Sequence, residues 1–402
     1  MIEPVLITGP GVWMESEATR QLAAAAQLEG CVHAAGMPDL HPGRGFPIGA
    51  VVATREVVHP HLVGGDAGCG ARVVVTSVER MSPDRLERRL RAAFEAPLFE
   101  AVDPDVLFEA MWQTGGQALA ELDGVPDDLR WLAAREPAGD DLPPSASSAP
   151  YRRGFERSLG TIGGGNHFAE VARVGRVLDA DAGGSIGLAR DALAVVAHSG
   201  SRGLGTALAE AWGMCVLGGG DRDRYLGELA GACRFARANR LVLAYRVLGA
   251  LGAVRDHTLR GSFDVSHNDV RHEAVAGAGA WVHRKGAAPA PAEALTIVLG
   301  SRGAPSWIMK GTGAEPGLGS VAHGAGRRMT RSEAVDKLKQ RYRRSEVVRS
   351  ALGSRVVCDV KQLLLEEHPD AYKAIEPVIA ALEAHRQATR VADLTPIATV
   401  KL

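Results

Sequence analysis

The sequence predicts an α+β fold with mixed β-sheets surrounded by helices. Strand-like segments fill the first third, helices dominate the middle, and strands return toward the C-terminus. These segments do not alternate as the βαβ units of a parallel sheet would. Residues 48–58 are β-rich, and the apolar pair Leu62-Val63 runs as strand into a glycine-rich loop, 64–70. Residues 71–78 form the next expected strand. Ser82-Pro83 supplies an N-cap and first helical residue for a helix to about residue 94, with more helix over 105–122 and 126–135. Segment 136–150 is polar, proline-rich and low in complexity, and is expected to be an exposed, mobile excursion. Helices are expected over 205–218 and 222–259, and strands over 281–284 and 295–299. Thr330-Arg331-Ser332-Glu333 fits a capping box opening a basic helix to about residue 349. A last helix over 375–385 precedes a terminal strand over 396–402. The motifs on either side of 136–150 belong to one site, so residues 1–402 are expected to form one domain.

Composition narrows the class. Apolar residues make up 46% and charged residues 23% of 402, the balance of a soluble globular protein. The start, Met1-Ile2-Glu3-Pro4, lacks a basic segment followed by an apolar one, and apolar runs such as 192–197 are too short for a bilayer. A cytoplasmic protein without membrane contact is expected. Five dispersed cysteines without a CxxC pair argue for reduced thiols. A net charge of −1 means that any nucleic-acid surface must be local. The 48 glycines cluster beside His, Asp, Ser and Asn, as in sites where backbone approaches ligand closely.

Asp66 and Cys69 share one glycine-rich loop, where a carboxylate and a thiolate three residues apart can converge on a cation. A turn aspartate beside a buried cysteine is the plainer reading. In Gly163-Gly164-Gly165-Asn166-His167-Phe168-Ala169-Glu170, triple glycine lets the chain pass close to a phosphate or base. There His167 offers an imidazole to metal, and Asn166 and Glu170 offer hydrogen bonds, the carboxylate to a guanine edge. A flexible turn before a strand would look the same. Residues 193–197 form a buried-strand pattern delivering His198, followed by Ser199-Gly200-Ser201-Arg202-Gly203 and a helix, an arrangement suited to an anion. It is not a Walker A loop, which ends in Gly-Lys-Ser/Thr. In Ser266-His267-Asn268, His267 is a further candidate ligand, while His272 suits a surface position. Asp66, Cys69, His167, His198 and His267 are too many donors for one zinc ion and suit two cations sharing the thiolate. Metal pairs recur in phosphoryl and nucleotidyl transfer. His323 lies among small residues in Ala322-His323-Gly324-Ala325-Gly326-Arg327-Arg328, so its imidazole is reachable as a nucleophile toward phosphorus. Arg327 or Arg328 can neutralise phosphate charge. A glycine-rich turn with an incidental histidine is the alternative. Lys337, Lys339, Arg341, Arg343 and Arg344 form either a local RNA surface or a solvated helix face.

GDAGCG, GGGNHF, HSGSRGLG, SHN, HRKGA, GSRG and HGAGR occur in this order, between Met37-Pro38-Asp39-Leu40-His41 and Val400-Lys401. Together they resemble the RtcB family of tRNA-splicing and RNA-repair ligases over nearly the whole chain. The resemblance implies a single-domain fold with a central metal and nucleotide cleft. It implies two Mn²⁺ ions held by Asp66, Cys69, His167, His198 and His267, with Cys69 bridging, and a covalent GMP adduct on His323. Asn166, Phe168, Glu170, Gly300, Ser301, Ser306, Gly324, Ala325, Arg327 and Lys401 match positions around the guanine nucleotide, with Arg327 toward phosphate. Arg202 and Asn268 match the RNA and phosphate side. The implied activity joins RNA 3′-phosphate or 2′,3′-cyclic phosphate ends to 5′-hydroxyl ends at the expense of GTP. A metal-dependent cyclic phosphodiesterase, or a non-catalytic RNA-binding protein on the same fold, are the competing readings. The wording GTIGGGNHFAE, HPGRGFPIGA and AHGAGRR resembles a bacterial subgroup associated with release factor H. That implies repair of ribosomal RNA and a ribosome or release factor H-like partner. Ala71, Ala322 and Trp307 depart from the family's usual residues without removing a charge, ligand or nucleophile.

Overall fold

The strongly apolar runs Gly70–Thr76 and Leu193–Ser199 pair antiparallel inside an eight-stranded sheet in the computed structural model, which describes residues 2–137, 140–152 and 154–401, the side chain of Arg344 excepted. Both faces of this sheet are covered. Val74, Val195 and Ala197 face one apolar cluster, and Val73, Val75, Ala194 and Val196 face another. That period of two, with no polar face, explains why the runs read as continuously apolar. The strand order is Leu295–Val298, Ser306–Gly311, Ala388–Val400, Phe168–Val177, Leu193–Ser199, Gly70–Thr76 and Leu259–Ser266; Arg355–Val357 runs parallel to Ala388–Val400.

A five-stranded sheet carries Val5–Leu6, Cys31–His41, Ile48–Thr54, Ala278–Lys285 and Asn268–Val275 in that order. Its first pair is parallel and the others antiparallel, so both large sheets are mixed. The helix Ser16–Ala25 covers one face through Leu22 and Ala25, against Ala34, Ala50 and Val52. The helix Gly219–Leu251, 33 residues long, is buried along most of its length and packs on the larger sheet. The sheets and helices together make one α+β domain. No helix among the described residues is long and apolar enough to cross a membrane.

Several boundaries differ from the sequence reading. The long helix stops at Leu251, because Gly252 adopts φ +71° and turns the chain, its N–H donating to Gly249 and that of Ala253 to Leu248. Leu259–Ser266, where no element was expected beyond Leu259, is a strand. The capping box at Thr330 forms as expected, but its helix, Arg331–Leu338, is short, and a separate turn, Arg344–Val347, follows. The terminal strand is longer than expected, Ala388–Val400, and Leu62-Val63 is not strand: Pro60–Leu62 is a 3₁₀ turn. The Asp66–Cys69 loop therefore precedes the strand Gly70–Thr76 instead of ending one. Segment 136–150 lacks helix and strand in its described residues, yet it is fastened. Arg234 of the long helix donates to Asp140, Ser145 Oγ and the carbonyls of Leu142 and Pro143.

Candidate metal and nucleotide site

Two consecutive side chains of the long helix organise the loops that carry the candidate donors. Asn239 and Arg240 are fully buried. Asn239 Oδ1 accepts from Gly160 N at 2.7 Å, and its amide donates to Thr161 O at 3.2 Å and Ser199 Oγ at 3.1 Å. Arg240 donates to Gly68 O at 2.7 Å and Ser199 O at 2.9 Å, and pairs with Asp264 at 2.6 Å. The segments bearing Cys69, His167, His198 and His267 are thus tied to one rigid rod. Gly68 has φ +70°, and a methyl group there would lie 2.8 Å from Cys233 Cα, so only glycine lets the loop seat on the helix. Replacing Arg240 with methionine should cost about 3–5 kcal/mol, because Asp264 loses its closest counter-charge and two buried carbonyls lose their donor. Urea unfolding measures this, and a loss below about 1 kcal/mol would show that the arginine is not the tie.

The donors converge as two groups with one member in common. Cys69, His198 and His267 form one and Asp66, Cys69 and His167 the other, each with its ligand atoms within 4.8 Å of one another. Cys69 Sγ lies 3.3 Å from His167 Nε2 and 3.5 Å from His198 Nε2. His198 Nε2 lies 3.4 Å from His267 Nε2, and His167 Nε2 lies 3.2 Å from Asp66 Oδ2. Three Nε2 atoms, a sulfur and a carboxylate oxygen are the donor set for transition-metal cations, and the shared sulfur suits a pair. Burial and the neighbouring histidines push His198 and His267 well below the usual imidazole range, keeping their lone pairs free for metal. Burial and Asp66 push the Cys69 thiol well above its usual range, so its ionisation needs a cation beside it. Desolvation opposes charge on Asp66, but His167 brings that carboxyl down to about 2.

Each donor has a local reason for its place. His198 is the penultimate residue of the strand Leu193–Ser199, on the face of Ala194 and Val196, and its Nδ1 lies 3.2 Å from Asn166 O. His267 is the single residue between Leu259–Ser266 of one sheet and Asn268–Val275 of the other, and its N–H donates to Cys69 O at 2.8 Å. His167 precedes the strand Phe168–Val177, and Lys401 Nζ donates to its carbonyl at 3.0 Å.

His323 adjoins the cluster, its ring centroid 5.0 Å from that of His267. Burial opposes its charge, but Asp39 Oδ2 lies 2.6 Å from its Nδ1 and holds the imidazole above its ordinary value. Asp39 itself is fully buried. His267, His323 and His198 line a cavity of about 860 Å³ at the junction of the two sheets. Its walls also include Asp66, Asn166, Phe168, Glu170, Asn268, Gly300, Ser301, Gly324, Ala325, Arg327 and Lys401. Burial lifts the Glu170 carboxyl to about 7, and Thr399 donates to its Oε2 at 2.6 Å.

Some expected residues do other work. Ser306 lies outside the cavity lining, and its Oγ accepts from Gly300 N at 3.0 Å, shaping the loop. Arg202 is also outside it: Nε donates to Thr161 Oγ1 at 3.0 Å, and the guanidinium occupies the space a side chain at Gly163 would need. Asn268 lines the cavity but donates to Asp66 O at 3.0 Å and accepts from Gly286 N at 2.7 Å, so both its amide atoms hold loops. Arg327 donates to Met329 O, Glu367 and Glu366 O. On the basic segment, Lys337 pairs with Glu333, Lys339 with Asp336 and Arg341 with Asp370, as in a solvated ion-paired face; the side chain of Arg344 is outside the described residues. Asp39, Asn239 and Arg240 are site residues beyond those expected from the sequence. The last two had a signal, since an Asn-Arg pair interrupts an apolar helix at Ala238–Val242.

A family model described as tRNA-splicing ligase RtcB matches residues 21–218 and 214–402. The chain is 36% identical to the RNA-splicing ligase RtcB2 of Escherichia coli, over 98% of this chain and 94% of that protein. It is 32% identical to the RNA-splicing ligase RtcB of Mycobacterium tuberculosis, over 95% of this chain and all of the relative. Identity to the tRNA-splicing ligase RtcB of Archaeoglobus fulgidus is 29%, over 96% and 92% of the two chains. With matches of that length and identity, the chain belongs to the RtcB ligase family.

Proposed function

We propose that the chain is a GTP- and Mn²⁺-dependent RNA ligase that joins a 3′-phosphate or 2′,3′-cyclic phosphate end to a 5′-hydroxyl end through GMP carried on His323. The observation that carries this reading is the placement of His323 beside a two-group donor cluster sharing Cys69, on a nucleotide-sized cavity. Two Mn²⁺ ions, held by Asp66, Cys69, His167, His198 and His267, would withdraw charge from phosphate oxygens when bound.

The chain's own residues account for the rest. Asp39 holds the proton on His323 Nδ1, which leaves the Nε2 lone pair as the nucleophile and offsets the positive charge that grows on the ring. Nε2 forms a bond to the α-phosphorus of GTP as the bond to pyrophosphate breaks. The RNA 3′-phosphate then takes GMP from His323, and the 5′-hydroxyl attacks that activated phosphate and expels GMP. A cyclic phosphate is first opened by water. Glu170 accepts hydrogen bonds from the guanine edge, while Phe168, Asn166, Ser301 and Ala325 line the space for base and ribose. The similarity to an RNA-splicing ligase supports broken RNA as the substrate. In this reading that RNA is ribosomal RNA or a spliced tRNA, met in the cytoplasm with a release factor H-like protein or the ribosome as partner, as the wording of the motifs suggests.

The test is transfer of label from α-³²P-GTP to protein with Mn²⁺, read on a denaturing gel beside RNA joining. Wild type should label with GTP and not with ATP. Glu170→Gln, which exchanges one acceptor for a donor, should lower the GTP preference about 100-fold. Absence of labelled protein under conditions that join RNA would overturn the histidine route.

A further inference from the structure

The cavity mouth carries an arginine that no step above uses. Arg44 is exposed and lines the cavity, and it makes no hydrogen bond or ion pair among the described residues. The other arginines of the wall each have a partner: Arg327 pairs with Glu367 at 3.0 Å, Arg302 donates to Leu364 O, and Arg331 lies 3.8 Å from Glu367. Lys401 is bound to the carbonyls of Gly165 and His167.

The loop that presents Arg44 is pinned on both sides. Gln21 holds Gly43 by a reciprocal pair, its Nε2 donating to Gly43 O and its Oε1 accepting from Gly43 N, both at 3.1 Å. Beyond Gly45, Phe46 is buried and its ring lies 4.4 Å from that of His61. The loop follows His41, whose ring stacks 6.3 Å from His323. A fixed loop with a free guanidinium at the open end of a phosphate-handling cavity is preorganised for a planar, bidentate anion.

We propose that Arg44 contacts a backbone phosphate of the RNA strand whose 3′ end enters the cavity. This rests on the ligase reading above. The phosphates of GTP offer the same chemistry, but the residues placed around the nucleotide line the interior, and Arg44 stands in solvent at the mouth. The single charge at a pinned position makes it a determinant of RNA affinity, not of the chemical step.

The experiment measures binding of a fluorescent single-stranded RNA ending in a 3′-phosphate by anisotropy, on Mn²⁺-loaded wild type, Arg44→Ala and Arg44→Lys. Arg44→Ala should raise Kd about 10-fold and flatten the plot of log Kd against log salt by about 0.7, the loss of one phosphate contact. Arg44→Lys should recover part of both. GTP labelling of His323 should be the same in all three. Unchanged RNA binding and salt slope in Arg44→Ala would overturn the proposal, and so would a selective loss of GTP labelling, which would assign Arg44 to the nucleotide. Wild type that binds this RNA and never joins it would refute the ligase reading while leaving the Arg44 contact standing.

Discussion

His323→Ala is expected to abolish protein labelling by α-³²P-GTP, a loss on the order of 10³-fold or more, because the atom that bonds to phosphorus is gone. His198 and His267 should not substitute, because their Nε2 atoms are turned into the donor cluster. His41 Nδ1 donates to Asp39 O at 2.8 Å, which leaves its Nε2 lone pair free, so His41→Ala is the control and should label as wild type does. The alanine variant also leaves the fully buried Asp39 carboxylate without its 2.6 Å partner, which should cost roughly 1–3 kcal/mol. His323→Gln separates the effects, since its amide can still donate to Asp39 while lacking a nucleophilic nitrogen. Both variants should bind Mn²⁺ as wild type does in equilibrium dialysis. Labelling of either at the wild-type level would remove His323 as the acceptor.

Cys69→Ala is expected to lose both metals together. Cys69 belongs to each three-donor group, so its removal leaves Asp66 with His167 and His198 with His267, two donors apiece. Mn²⁺ affinity should fall by about 100-fold or more at both positions, and labelling with it. His167→Ala gives the contrast, because it belongs to one group and should spare the other. Dialysis followed by elemental analysis distinguishes a joint from a stepwise loss. If Cys69→Ala kept its full manganese complement, the shared-thiolate arrangement would be wrong. Cys69 is buried, so removing its single sulfur should lower the melting temperature of the metal-free protein modestly, by the cost of a one-atom cavity.

Much of the site was legible because its signals are local. A short loop bearing Asp66 and Cys69, a glycine run ending in His167, and an apolar strand delivering His198 each announce themselves within about ten residues. The capping box at Thr330 and the Ser82-Pro83 helix start were likewise short-range and correct. The failures have a common cause. The helix expected to reach residue 349 ends at Leu338, and the apolar pair Leu62-Val63 packs as a turn, because tertiary packing overrode propensity. Arg327, expected toward phosphate, lines the cavity and is also paired with Glu367, a contact 40 residues away that its local sequence does not announce.

The order and chemical identity of the donors, the glycines that let their loops bend, and the reachable histidine among small residues belong to the sequence alone. Only the tertiary structure decided that one sulfur serves two groups, that Asp39 lies against a histidine 284 positions later, and that Asn239 and Arg240 tie the loops to one helix. The reason is physical: a side chain's affinity for metal or phosphorus is its own property, whereas coordination and attack depend on separations of a few ångströms between residues far apart in the chain, and those are set by how two sheets and a buried helix pack.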